Sequence, residues 1–176
     1  INFGAVMEDD GTVRSTLFNP PNHIGTVDEA YIPVCRAIAT LLTECNFATE
    51  YEPCIEDRVW MKAILNASMS PVAALVNSSI GEVLDSPARA IVDRLLHEAV
   101  AVAHAEGRDL GPDPIARAYD VFEAGRAHTP SMVEDIRAAR ESEVGQLNRQ
   151  LLRHAAHVNV AAPTHEVIDA LIETFD

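Results

Sequence analysis

The spacing of apolar residues after residue 25 limits this chain to a mainly helical fold. From residue 26 onward, apolar side chains recur every three or four positions in one segment after another, which is the period of an amphipathic α-helix. Pro and Gly divide these segments: Ser86 and Pro87 form a good helix start, and Gly107 a good stop. The predicted helices cover residues 26–46, 55–78 with a break or kink at Pro71, 87–107, 111–125, 129–159 and 163–175.

The front end of the chain has a different pattern. Residues 1–16 alternate like two β-strands with a turn at Asp10-Gly11, and residues 47–51 suggest a short extended link. Because an isolated hairpin is marginal in water, we expect the two strands to complete a sheet formed by another segment. The predicted fold class is therefore mainly α, preceded by a β-hairpin.

Composition excludes several classes of function. A net charge of −14 argues against a nucleic-acid partner, since a phosphate backbone needs a basic face. No apolar run approaches the ~20 residues that span a bilayer, which favours a soluble, cytoplasmic protein without a membrane partner. Cys35, Cys45, Cys54 and the His154–His157 pair lack the spacing of a complete metal site, so we expect no metal.

Lys62 is the only lysine of the chain, and it lies in an apolar segment. A source that favours arginine would explain why lysine is rare, but not where this one lies. On a helix, Lys62 shares a face with Asn66 and Ser70. Two interpretations stay open: Lys62 reaches solvent while the other two bond the backbone, or a partly desolvated lysine gives a proton to a substrate carbonyl, which arginine cannot do.

Ser131 and Glu143 form a second candidate pair. Ser131 caps or precedes a predicted helix start, and a helix N-terminus with a serine hydroxyl suits an anionic carboxylate. The simpler alternatives are N-capping for Ser131 and, for Glu143, a solvated charge beside Arg137 and Arg140.

Five motifs follow one another in a characteristic order. They are HIG at residues 23–25, VWMKAILNASMSPVAAL at 59–75, Glu98 with Gly107 at the end of its helix, SMVEDIRAARESEV at 131–144, and Pro163. Together they resemble the C-terminal half of ketopantoate reductase. Members of that family join an N-terminal Rossmann domain, which holds NADPH, to a helical domain like that of 6-phosphogluconate dehydrogenases.

The resemblance implies a domain organisation and an activity. Residues 1–25 are expected to be a hairpin left over from an absent dinucleotide-binding domain, and residues 26–176 a helical substrate-binding and dimerisation domain. The implied reaction is NADPH-dependent reduction of 2-dehydropantoate, or a related 2-oxo acid, to the 2-hydroxy acid, as in pantothenate biosynthesis. NADPH would be bound mainly by the absent domain, because no glycine-rich dinucleotide motif is present here. The protein is expected to be a homodimer, and this chain alone to be inactive.

The resemblance also implies roles for five residues. Lys62 matches the catalytic lysine, Glu143 the glutamate that binds the substrate hydroxyl and orients the lysine, and Asn66 a pocket asparagine. Ser131 matches the serine that holds the substrate carboxylate, and Ser70 stands where the family has a second pocket asparagine. Because of this departure, the resemblance predicts the type of reaction better than the exact substrate. The alternative is a non-catalytic helical module for dimerisation or ligand binding.

Overall fold

The computed structural model describes residues 3–8, 10–18, 20–140 and 144–174. It contains two compact units, Ile1–Glu56 and Asp57–Asp176. The described residues form eight α-helices and four short strands, which confirms the mainly helical fold class.

The first unit begins with the predicted hairpin. Strand β1 (Phe3–Met7) pairs antiparallel with β2 (Val13–Phe18). The turn is closed by Gly11, whose φ of 83° suits glycine and whose N–H donates to the Glu8 carbonyl at 2.9 Å. Among the described residues, these two strands pair only with each other.

A parallel strand pair completes the first unit. Strand β3 (Asn22–Ile24) pairs with β4 (Thr49–Tyr51), and helix α1 (Ile32–Glu44) connects them. Parallel strands need such a crossover, so the predicted extended link is a strand whose partner the sequence did not reveal. Gly25 is needed for close packing, because a Cβ there would lie 2.3 Å from the Glu52 carbonyl oxygen.

The second unit is built from helices that enclose one apolar core. Seven helices contribute to it: α2 (Ile55–Val76), α3 (Ile80–Leu84), α4 (Arg89–Ala105), α5 (Pro114–Ala124), α6 (Ser131–Arg137), α7 (Val144–His157) and α8 (Pro163–Ile172). The centre of the core is formed by fully buried side chains such as Ile64, Leu95, Leu96, Met132 and Ile172.

Of the break or kink predicted at Pro71, the break is wrong. The helix runs without interruption from Ile55 to Val76, with Pro71 inside it. A proline has no N–H to donate to the carbonyl four residues back, here that of Ala67. Pro71 is itself buried, as are Val72, Ala73 and Ala74, so apolar burial around it offsets the lost hydrogen bond.

The single long helix predicted over residues 129–159 is also wrong. Helix α6 ends at Arg137, and Ala139 adopts a left-handed φ of 49° that no helix interior permits. The turn is closed where the Arg140 N–H donates to the Asp135 carbonyl at 2.8 Å. The Arg140 guanidinium also binds the Asp135 carboxylate, at 3.0 and 2.8 Å. This local pairing competes with helix continuation.

The helix bounds differ from the prediction by a few residues at several places. Helix α4 begins at Arg89 and not at Pro87, because the Ser86 hydroxyl donates to the Val83 carbonyl and accepts from the Ala88 N–H, which makes a turn. The predicted stop is confirmed by Gly107, whose φ is 76°. Helix α3 was not predicted, since five residues are too few to show a period.

Helix α2 is, among the described residues, the one helix long and apolar enough to cross a bilayer by length and composition alone. The sequence did not suggest it because Arg58 and Lys62 interrupt the apolar run. Its buried residues, from Ile64 to Ala74, belong to the core of the helical unit. A core helix of a globular unit has the same properties.

Candidate functional site

The candidate site is centred on one face of α2. Lys62, Asn66 and Ser70 follow one another at intervals of four residues, so their side chains leave the helix on the same side. Lys62 is exposed, whereas Asn66 and Ser70 are half-buried. The lone lysine therefore lies on the solvent side of a core helix, although its neighbours in sequence are apolar.

Three candidate side chains have hydrogen-bonding capacity left over. Within the described part of the chain, the side chains of Asn66, Ser70 and Ser131 make no hydrogen bond. An amide and two hydroxyls offer both donors and acceptors, which suits a small polar ligand. Of the first interpretation, the exposure of Lys62 fits the structure, but backbone bonds of Asn66 and Ser70 do not.

Ser131 does not cap its helix. It is the first residue of α6, the N-cap position is occupied by Pro130, and no side chain caps the helix. Because α6 has only seven residues, its dipole is small. Ser131 therefore offers an exposed hydroxyl and not the end of a long helix.

The structure describes four of the five predicted site residues, and all four lie in the helical unit. Lys62, Asn66 and Ser70 are brought together on α2, and Ser131 lies on α6 of the same unit. Glu143 falls between Arg140 and Val144, outside the described residues. Convergence of Glu143 and Ser131 on the face of α2 therefore stays a prediction.

The structure has two shallow concavities that candidate residues do not line. One, of about 400 Å³, is lined by Ser86, Pro87, Arg89, Ala90, Asp93 and Tyr119. There the Arg89 guanidinium lies 4.8 Å from the centre of the Tyr119 ring, and burial raises the pKa of Tyr119. The other, of about 380 Å³, lies in the first unit between α1 and β4. Neither is lined by Lys62, Asn66, Ser70 or Ser131.

A buried polar network was missed by the sequence analysis. Asn148 and His165 are fully buried, and the Asn148 amide donates to His165 Nδ1 at 3.1 Å. His165 Nε2 donates to the Leu95 carbonyl at 3.1 Å, so the ring is in its neutral form. Burial lowers the pKa of His165. The network joins α4, α7 and α8 through hydrogen bonds in the interior of the helical unit.

Glu98 has a structural role that its sequence context did not reveal. The N-cap residue of α8, Ala162, has no capping side chain. The Glu98 carboxylate of α4 replaces it by accepting from the N–H of Thr164 at 3.0 Å and of His165 at 3.1 Å. The signal in the sequence was a Pro163 helix start without a capping residue before it.

The described residues show neither a glycine-rich phosphate loop nor a cluster of metal ligands. The one glycine between β3 and α1 is Gly25, and the space a phosphate would need there is filled by the Glu52 carbonyl and the Ile55 side chain. No group of three or more His, Cys, Asp or Glu in the described part of the chain could hold a metal ion.

Comparison with known sequences identifies relatives of the helical unit. The family model for the C-terminal domain of ketopantoate reductase, PanE/ApbA, matches residues 54–175. The 2-dehydropantoate 2-reductase of Streptococcus pyogenes serotype M3 is 28% identical over 138 residues, which cover 77% of this chain and 45% of that protein. The chain thus spans about half the length of the curated relatives it matches.

Solved structures share the fold over almost the whole chain. D-mandelate dehydrogenase in complex with NADH has a TM-score of 0.84 at 24% identity, covering 98% of this chain and 60% of that one. The dimeric ketopantoate reductase of Staphylococcus aureus has a TM-score of 0.81 at 19% identity, covering 99% and 60%. Since the family model matches well over half of its residues, this chain belongs to the ketopantoate reductase family.

Proposed function

We propose that this chain is the substrate-binding part of an NADPH-dependent reductase that converts 2-dehydropantoate, or a related 2-oxo acid, into the 2-hydroxy acid. The observation that carries the proposal is the polar face of Lys62, Asn66 and Ser70 on α2, within the region matched by the family model. The relatives named 2-dehydropantoate 2-reductase support the reaction. The ternary structure of D-mandelate dehydrogenase with NADH and anilino(oxo)acetate supports a 2-oxo acid as the substrate class.

Lys62 is the proposed proton donor. Reduction of a ketone adds a hydride to the carbonyl carbon and a proton to the oxygen, and a nicotinamide bound outside this chain supplies the hydride. The Lys62 ammonium donates its proton to the keto oxygen as negative charge develops there. Lysine can release that proton, whereas arginine keeps its own near neutral pH. The exposed side of α2 lets the long side chain reach a substrate.

The other four residues are proposed to hold the substrate. The Ser131 hydroxyl donates to the carboxylate, and Asn66 and Ser70 bind polar groups of the substrate from α2. Glu143 accepts from a substrate hydroxyl and orients Lys62. Because serine is shorter than asparagine, Ser70 leaves room that favours 2-oxo acids other than 2-dehydropantoate.

The organisation of the whole protein is part of the proposal. Residues 1–25 belong to a domain that holds most of the NADPH, and residues 26–176 form the substrate-binding and dimerisation domain. Among the described residues, β1 and β2 pair only with each other, which supports assigning them to a sheet formed elsewhere. The protein works in the cytoplasm as a homodimer, as the dimeric relative from Staphylococcus aureus suggests.

The test is NADPH oxidation by the natural full-length protein. We expect consumption of NADPH with 2-dehydropantoate or another member of a panel of 2-oxo acids, and none with residues 1–176 alone. In the full-length protein, Asn66→Ala should raise the KM for the acid by about tenfold, the effect of losing one or two hydrogen bonds. A full-length protein that binds NADPH but reduces no 2-oxo acid would support the non-catalytic module instead.

A further inference from the structure

We propose that Arg137 is a positioning residue that fastens α6 to the end of α2 and thereby sets where Ser131 lies relative to Lys62, Asn66 and Ser70. The inference rests on the proposed function, because Ser131 and the three residues of α2 belong to the proposed substrate site. It concerns a residue that does not itself touch substrate.

The Arg137 guanidinium joins two helices that are far apart in sequence. Its Nε donates to Asn77 Oδ1 at 2.6 Å and its Nη2 to the Asn77 carbonyl at 3.4 Å, a pairing across 60 residues. Its Nη1 donates to the Glu134 carboxylate at 2.7 Å, within α6. Asn77 directly follows α2 and adopts a left-handed φ of 54°. The last residue of α6 is therefore bonded to the residue that ends α2.

The segment that leads into α6 is bonded to the same junction. The His128 carbonyl accepts from the Ile80 N–H at 3.0 Å, and the Arg126 carbonyl accepts from the Gly81 N–H at 2.9 Å. Both donors lie at the start of α3, only a few residues after α2. Helix α6 is thus held by backbone bonds before its first residue and by the Arg137 side chain at its last. Ser131 lies between these two attachments.

Because Arg137 is exposed, its loss should change the position of α6 more than the stability of the fold. The side chain is 46% exposed, and ion pairs at such positions add little to the free energy of unfolding. Met132 and Val133 remain buried in the core without it, so α6 should stay folded. The orientation of the short helix does depend on Arg137, because a displaced Ser131 hydroxyl would lose its hydrogen bond to the substrate carboxylate.

Arginine fits this role better than lysine. The planar guanidinium presents five N–H groups in a fixed fork, so it can bind Asn77 and Glu134 at once. A lysine keeps the charge but not the fork. Arg137→Lys should therefore keep only part of the attachment between α6 and the end of α2.

A double-mutant cycle on the full-length enzyme tests the proposal. The variants are Arg137→Gln, Asn77→Gly, which keeps the left-handed backbone, and the two together. Arg126→Gln is the control, since the Arg126 guanidinium also binds two partners, here the carboxylates of Asp85 and Glu123, and the substitution keeps the backbone bond from Gly81. We expect each single variant to raise the KM for the 2-oxo acid about tenfold, with kcat and the KM for NADPH within about threefold. The double variant should be no worse than either single one.

Three outcomes would overturn the positioning role. They are an unchanged KM in Arg137→Gln, an equal rise in the Arg126→Gln control, and fully additive effects in the double variant. If the wild-type enzyme reduces no 2-oxo acid, the proposed function fails, and hydrogen exchange then decides on Arg137. Faster exchange of the α6 amides in Arg137→Gln, with α8 unchanged, supports the attachment, and unchanged α6 exchange refutes it.

Discussion

Replacing Glu98 by alanine tests its role as the cap of α8, which no sequence pattern predicted. The Glu98 carboxylate supplies the N-terminal cap of α8 from a different helix, with hydrogen bonds to the N–H groups of Thr164 and His165 at 3.0 to 3.1 Å. In Glu98→Ala both donors lose their partner. The negative charge near the positive end of the helix dipole is lost as well.

The expected loss of stability follows from these two bonds. A partly buried donor left without a partner costs about 1–3 kcal/mol, and the loss of an ordinary N-cap costs about 1 kcal/mol. Glu98 is half-buried, so water replaces part of what is lost. We therefore expect Glu98→Ala to lower the free energy of unfolding by about 2–4 kcal/mol. Glu98→Gln keeps one acceptor oxygen and should lower it by about 1 kcal/mol.

Urea denaturation followed by circular dichroism measures the difference. Glu166→Ala is the control, because Glu166 is an exposed acid in the first turn of the same helix and makes no described side-chain hydrogen bond. It should change the free energy of unfolding by less than about 0.5 kcal/mol. Equal effects of Glu98→Ala and Glu166→Ala would refute the capping role of Glu98.

Two further predictions concern other parts of the structure. Burial lowers the pKa of His165 in the folded state, so the unfolded chain takes up a proton first, and stability should fall as the pH drops below about 6.5. Urea midpoints at several pH values should show a shallower fall in His165→Gln, and an equal slope in both proteins would contradict this. In Gly25→Ala, the new Cβ would meet the Glu52 carbonyl at 2.3 Å and Ile55 Cβ at 2.5 Å, so β3 and β4 should be destabilised by about 1–3 kcal/mol. Hydrogen exchange of β4 would show this as faster exchange, and unchanged rates would argue against the close packing.

The parts of the fold that local signals determine were predictable. The turn at Gly11 and the end of α4 at Gly107 require left-handed backbone, which glycine alone adopts without strain. Ala139 and Asn77 adopt the same region without being glycine, so the end of α6 and the end of α2 were harder to see. At Pro71 the local signal predicted a helix break that did not occur, because core packing overrides a local helix breaker.

The candidate site shows a similar division. The shared face of Lys62, Asn66 and Ser70 follows from helical spacing, and the structure has it. The exposure of Lys62 could not be read from its apolar neighbours, because the direction of a helix face depends on which helices pack against it. The pairing of Arg137 with Asn77 spans 60 residues, a distance at which no spacing rule applies.

The proton-donor role of Lys62 is tested most directly by Lys62→Arg in the full-length enzyme. The variant keeps the positive charge at the same place on α2 but replaces a group that can release a proton with one that cannot. The measurement is steady-state NADPH oxidation with the best 2-oxo acid, together with the affinity for that acid. We predict that kcat falls by about 10²-fold or more while the acid still binds. A near-native kcat would contradict this account and leave Lys62 as a binding charge only.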